Sequence, residues 1–428
     1  MFDFKTEEYL PRLIDKKIEL YLGVFGAICI EGPKWCGKTM TSLNHSNSAF
    51  YLSNTARQAN ATELVRLDPS LALEGDAPHL IDEWQAVPEL WDIIRSEVDR
   101  KKEKGRFILT DSSTPNRKGI MHSGAGRFAK LRMRTMSLYE SQDSSGAVSL
   151  RSLFDGGFSS KLTPEIHLRQ LIHFIIRGGW PENLAFTNSK AALIPKEYIK
   201  LIISDDINRV DEKRRDLKKV ELLLQSLARN ESTTCTMSAL RNDIVTNGGK
   251  IDIETIPEYL NILEDLYLLD NQKPFSINLR SGLRLKQNEK RHFTDPSLAA
   301  ALLGASEQML LNDLKTLGFL FEALCERDLR IYAEANDGEL FHYQDYDNDE
   351  IDAVVRLDDG RWGAFEIKLG AHQIDEAAAN LLRIKEKIAK RTEKGKTPSF
   401  LCVISGLTNA AYQRPDGVYV IPITALKD

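Results

Sequence analysis

Over the first third of the chain, short apolar runs alternate with longer amphipathic stretches. Residues 27–31, 79–82 and 107–110 are too short for helices and read as buried strands, with helical segments between them. An alternation of this kind predicts an α/β domain on a largely parallel sheet.

From about Ser141 the pattern changes. Asp143-Ser144-Ser145-Gly146 reads as a loop, the following stretch is mostly helical, and Gly178-Gly179-Trp180-Pro181 is a helix stop. Three helices in series, at 220–228, 237–242 and 253–266, then precede a strand-like 267–273, the order of a winged helix. Past about Ala305 a helix around 319–329 leads to strands at 340–344, 350–356 and 362–368, with Asp359-Gly360 as a hairpin turn. A long amphipathic helix at 375–388 precedes a last apolar strand at 400–404, making a second α/β unit. The chain is therefore expected to divide into 1–140, 141–215, 216–304 and 305–428.

Composition narrows the function classes. A chain of 428 residues with 42% hydrophobic and 28% charged positions suits about three globular domains, neither disordered nor membrane-embedded. The five cysteines are scattered and never in CxxC spacing, so neither a disulfide framework nor a zinc site is expected. The apolar stretch at 20–30 is shorter than the roughly 20 residues that cross a bilayer, and no basic-then-apolar leader opens the chain. These features predict a cytoplasmic protein with no membrane partner. A net charge of -5 leaves nucleic-acid binding to local basic runs, at 208–219, 280–291 and 383–396. The helix at 253–266 carries Glu254, Glu258, Glu264 and Asp265 without Lys or Arg, which favours protein packing over DNA reading.

Gly32-Pro33-Lys34-Trp35-Cys36-Gly37-Lys38-Thr39 is a complete GxxxxGK[ST] directly after an apolar strand. Glycines let backbone N–H groups wrap phosphates, Lys38 reaches the β- and γ-phosphates, and the Thr39 hydroxyl ligates Mg²⁺. The run His79-Leu80-Ile81-Asp82-Glu83 ends in two acids, Asp82 for Mg²⁺ and Glu83 as the base that activates a water. Ser112, after the third strand, can place a hydroxyl near the γ-phosphate. Arg127, in Gly124-Ala125-Gly126-Arg127, is a candidate arginine finger for a neighbouring copy, with Arg132 and Arg134 as alternatives.

A second constellation lies near the C-terminus. Glu366 and Lys368 share one face of a strand, and Asp352 lies on the strand before it. Asp352 and Glu366 would hold Mg²⁺, Glu322 on the preceding helix would be the third carboxylate, and Lys368 would position or deprotonate a water.

Taken together these residues resemble prokaryotic AAA-type P-loop ATPases whose C-terminal region combines a winged helix with a domain like the PD-(D/E)XK nucleases. The likeness runs from Tyr9-Leu10-Pro11-Arg12 through GPKWCGKT, LIDEWQAVPELWDIIRSEVD, FILTDSS, GAGRFAKLRM, RGGWPE, YLNILEDLYLLD, KRHFTDPSLAAALLG and LGFLFEALCERDL to NDEIDAV and AFEIKLG. Two departures stand out: Asp111 where relatives typically have glycine, and Lys34-Trp35 where they have arginine and glutamine. The resemblance implies an AAA-type core, a helical and winged-helix middle and a restriction-endonuclease-like α/β C-terminal domain. It implies ATP and Mg²⁺ as cofactors, DNA and a second copy of the chain as partners, and nucleotide control of a nuclease-like domain. The alternative is a nucleotide-switched regulator that grips nucleic acid or protein without cutting.

Overall fold

A computed structural model describes residues 9–52, 59–112, 121–208, 215–277, 288–391 and 397–428. Ser113 and residues 209–214, 280–287 and 392–396 of the three basic runs lie outside the described residues. The chain forms two compact units, Met1–Thr135 with Asp205–Arg215 and Asn261–Leu268, and Met136–Ser204 with Asp216–Leu260 and Leu269–Asp428.

The first unit is built on five strands, β1 (Ala27–Glu31), β2 (Ser48–Tyr51), β3 (His79–Asp82), β4 (Phe107–Asp111) and β5 (Phe128–Arg132). They lie in the order β2-β3-β4-β1-β5, and every pairing is parallel. Both faces of this sheet are covered, which explains why its central strands read as unbroken apolar runs. Ile28, Ile30, Leu80 and Ile108 enter one core, while Cys29, Ile81 and Leu109 enter another with Trp84, Trp91 and Phe107. The three expected strands are β1, β3 and β4, and their carboxyl ends deliver the phosphate loop, Asp82 and Ser112 to one edge. Asp111 is the last residue of β4 and has extended backbone, which any side chain can adopt.

The second unit holds an eight-stranded sheet of order β7-β13-β14-β12-β11-β10-β9-β8. Here β7 is Lys161–Leu162, β8 Lys273–Pro274, β9 Gly338–Gln344, β10 Glu350–Leu357, β11 Trp362–Lys368, β12 Phe400–Ser405, β13 Ala410–Gln413 and β14 Tyr419–Pro422. A separate parallel pair joins β6 (Val148–Ser149) to β15 (Leu426–Lys427). The hairpin between β10 and β11 turns at Gly360, whose φ of 88° suits the residue without a Cβ. Helix Ile374–Arg391 lays Ala377, Ala378, Leu381, Ile384 and Ile388 on Val354, Ala364, Leu401, Val403 and Val420, a stripe of helical period on one sheet face.

Two sequence expectations change. Residues 400–404 are not the last strand; β13 and β14 follow, too short and too mixed to be legible from periodicity. The strand expected at 267–273 starts later, because Tyr267 has a φ of 55° and turns the chain. Extended pairing begins with the isolated bridges Leu269↔Phe293 and Gln272↔Lys290. The three expected helices are Leu217–Arg229, Met237–Thr246 and Ile256–Asp265. Among the described residues no helix is long and apolar enough to cross a membrane.

Three motifs meet in the interior of this second unit. Asp295 accepts from the Gly179 amide at 2.9 Å and from Arg327 at 3.0 Å, and Arg327 also pairs with Asp328 at 2.7 Å. Asp328 accepts from the Leu138 amide at 2.9 Å, and Trp180 donates to Ser297 at 3.0 Å. Gly179 is obligatory, since a Cβ there would lie 2.1 Å from the Met136 carbonyl. RGGWPE, FTDPS and CERDL are thus parts of one buried knot. Asp295→Ala leaves Arg327 half-neutralised in the interior and is expected to destabilise the chain by about 3–5 kcal/mol, read as a fall in the urea midpoint at pH 7.

Candidate functional sites

The loop between β1 and helix Lys38–Asn44 is shaped by residues in the left-handed half of backbone space. Gly32 has a φ of 156°, Trp35 of 68° and Gly37 of 100°, and alternation of this kind turns successive amide groups toward one concavity. A Cβ on Gly32 would meet the Met133 carbonyl at 2.1 Å, so the cradle is closed to any larger residue. Cys36 is buried beneath the loop. Arg12, from the YLPR motif, fixes the loop from behind by donating to the carbonyls of Cys36 at 2.9 Å and Arg134 at 2.8 Å. Lys38 folds back onto the Gly32 and Pro33 carbonyls at 2.9 and 2.7 Å. Lys34 points away to Asp206, at 2.7 Å. Trp35 is exposed.

At the neighbouring strand ends the acids are already ordered. Asp82 Oδ1 accepts from Thr39 at 2.9 Å and from Thr110 at 2.7 Å. Burial raises its carboxyl above the ordinary range, against the pull of those two hydroxyls. Glu83 sits in left-handed backbone at φ 57°, a conformation uncommon for a side chain of its kind, which turns the carboxylate out of the strand. Ser112 donates to its Oε2 at 2.7 Å, Gln85 also bonds that oxygen, and the Glu83 amide donates to Thr110 at 2.9 Å. Gln85 and Thr110 were not among the expected residues, because their role exists only where two strand ends meet.

Thr39 and Asp82 present hard oxygens side by side, beside a loop of donors, which fits Mg²⁺ and a nucleotide phosphate. Arg127 is elsewhere. Its carbonyl accepts from Gly26 and Ala27 at the amino end of β1, and its side chain pairs with Asp99 at 2.8 Å, so within one chain it does not approach Lys38.

Residues 25–142 match the family described as AAA domain. The first unit carries a P-loop ATPase domain of AAA type. Residues 168–309 and 317–426 match two further families, each described as a domain of unknown function (DUF8612 and DUF4143). Uncharacterized proteins of Mycobacterium bovis and Mycobacterium tuberculosis are each 25% identical over 350 residues, covering 80% of this chain and 70% of theirs. An uncharacterized protein of Haemophilus influenzae is 26% identical over 51% of either chain. Among solved structures, a Walker-type ATPase of Pyrococcus abyssi is similar over 70% of this chain and 97% of its own, at 12% identity and a TM-score of 0.43. A RuvB variant of Thermotoga maritima covers 60% of this chain and 88% of its own, at 17% identity and a TM-score of 0.28.

In the second unit the register pairs Ala353 with Phe365, which places Asp352 across from Glu366. Lys368 bridges them, 3.1 Å from Asp352 and 2.7 Å from Glu366, and Asn380 donates to the other Glu366 oxygen at 2.7 Å. The ladder to β9 slips between Ile351 and Val354, and this irregularity frees the Asp352 carbonyl for Gln272 at 3.4 Å and Lys290 at 3.3 Å. Glu322 is held by Lys290, whose ammonium also reaches the Asp352 carbonyl. Among the described residues no group of three or more His, Cys, Asp or Glu side chains could hold a metal ion. Each of the expected metal carboxylates, Glu322, Asp352 and Glu366, is paired with a lysine.

Burial works against the charge on Asp352, yet Lys368, Lys290 and the Ile367 amide hold its carboxyl below the usual range. Burial, reinforced by the Asp352 charge, pushes Glu366 up to about 8. The basic run at 383–396 is also partly neutralised from within. Arg383 pairs with Asp349 at 2.7 Å, and Lys387 meets Asp345, Asp347 and Asp349 at 2.5–2.6 Å.

His292 bonds Glu231 at 3.0 Å on one ring nitrogen and Glu326 on the other. Burial favours the neutral ring, but the two carboxylates outweigh it and hold the pKa up to about 9, above the usual 6.5. The stabilisation is complete below pH 6.5 and is lost as pH rises through 9. Urea unfolding between pH 6.5 and 9.5 is expected to show a loss on the order of 3 kcal/mol that His292→Asn largely removes. Glu322 and Glu366 act with the same sign as pH rises through about 8, so variant and parent are compared at each pH.

Proposed function

We propose that this chain is a Mg²⁺-dependent ATP hydrolase that works as a nucleotide-controlled switch, and that its C-terminal carboxylate and lysine domain grips a partner without cutting it. The observation that carries the hydrolase is the pair of contacts Thr39–Asp82 and Ser112–Glu83, which bring the loop, the metal acid, the base and a sensing hydroxyl to one edge.

In this reading the amides of residues 32–39 receive the phosphates, and Lys38 exchanges its two loop carbonyls for phosphate oxygens. Thr39 and Asp82 would hold Mg²⁺, which supplies charge neutralisation on the β- and γ-phosphates. Glu83 orients the attacking water and takes its proton, while Ser112 and Gln85 keep its carboxylate aimed. The Lys34–Asp206 ion pair spans 172 positions of sequence, so a rearrangement of the loop on nucleotide binding is transmitted to the Asp206 segment. Arg127, remote from its own loop, acts in this reading toward a second copy.

The non-cutting reading of the C-terminal domain rests on the lysines that occupy its carboxylates. A second reading, Mg²⁺-dependent cleavage of DNA, is favoured by one observation: Asp352, Glu366 and Lys368 stand together as a phosphodiester-cleaving site requires.

ATP turnover tests the hydrolase. Lys38→Ala is expected to lose nucleotide binding, and Glu83→Gln to bind ATP while hydrolysing it about 10²–10³ times more slowly. Undiminished hydrolysis in both variants removes the assignment.

A further inference from the structure

An ordinary divalent site collects carboxylates whose mutual repulsion only a cation relieves. In the second unit that cation is supplied by the chain. Glu322 and Glu326 stand one turn apart on helix Leu314–Ala335 and so share a face. Both close on the ammonium of Lys290, Glu326 at 3.2 Å and Glu322 more closely, and the Asp352 carbonyl accepts from the same nitrogen at 3.3 Å. Three N–H groups thus meet three oxygens, and the ammonium has no donor left over.

The backbone under Lys290 is fixed. Its amide and carbonyl exchange hydrogen bonds of 2.9 Å with those of Gln272, whose side chain reaches the Phe341 carbonyl at 2.9 Å and the Asp352 carbonyl at 3.4 Å. His292, two residues on and hence on the same side of the extended segment, locks the far oxygen of Glu326. Lys368 occupies Asp352 and Glu366 in the same way. Each of Glu322, Asp352 and Glu366 is thus paired with an ammonium, that of Lys290 or that of Lys368.

We propose that Lys290 is the resident cation of this cluster and, together with Lys368 on Asp352 and Glu366, excludes divalent metal from Glu322, Asp352 and Glu366. The inference deepens the non-cutting reading of the C-terminal domain and rests on it; because it is tested without ATP, its outcome is independent of the hydrolase assignment.

The test is Mn²⁺ binding to the full chain, by electron paramagnetic resonance without nucleotide, in an Asp82→Asn background that removes the acid of the first site. The parent is expected to bind no Mn²⁺ up to about 1 mM. Lys290→Met is expected to bind one Mn²⁺ at least about tenfold more tightly than the parent, and adding Asp352→Asn to abolish that gain. Lys290→Gln, which keeps a donor for the freed carboxylates, serves if the methionine variant does not fold, with the same gain expected. Mn²⁺ bound by the parent and lost in Glu322→Gln overturns the proposal, and so does a folded Lys290 variant that gains no metal. Metal-dependent DNA cleavage by the wild-type chain that Lys368→Ala abolishes overturns it as well.

Discussion

A charge removed from water must be met by an opposite charge or by oriented donors, or folding fails. That constraint organises both units of this protein. Asp295, Arg327 and Asp328 satisfy one another in the interior with help from the Gly179 and Leu138 amides. These contacts join RGGWPE, FTDPS and CERDL, and removing one partner would leave an uncompensated charge in the interior.

The same rule separates the two candidate sites. At the phosphate loop the buried acid, Asp82, accepts from two neutral hydroxyls, and burial raises its carboxyl against their pull. Lys38 rests on carbonyls that a phosphate can replace at little cost. At the C-terminal cluster the cations come from the chain itself. Lys290 and Lys368 already stand among the carboxylates, and His292 carries a positive charge between Glu231 and Glu326. An ion entering there would have to displace a bonded ammonium.

Much was legible in the chain. The strands at 27–31, 79–82 and 107–110 could be recognised because strands covered on both faces must be continuously apolar. GPKWCGKT could be placed because the loop's glycines answer a purely local demand, left-handed backbone and close approach. The juxtaposition of Asp352 with Glu366 and Lys368 followed from strand alternation and a short hairpin. What could not be read was β13 and β14, whose four residues each carry too little periodicity, and the turn at Tyr267.

Sequence by itself determined the phosphate loop, the acids that end β3 and the apolar strands beneath them, since each depends on neighbours within a few residues. Only the tertiary structure decided that Ser112 and Gln85 hold Glu83, that Arg12 backs the loop, and that Arg127 lies at the far end of β1. It also decided that Lys290 pairs with Glu322 and Glu326. An ion pair depends on the approach of two charges in space, and 32 positions of chain separate Lys290 from Glu322. No local pattern encodes which lysine a carboxylate will meet.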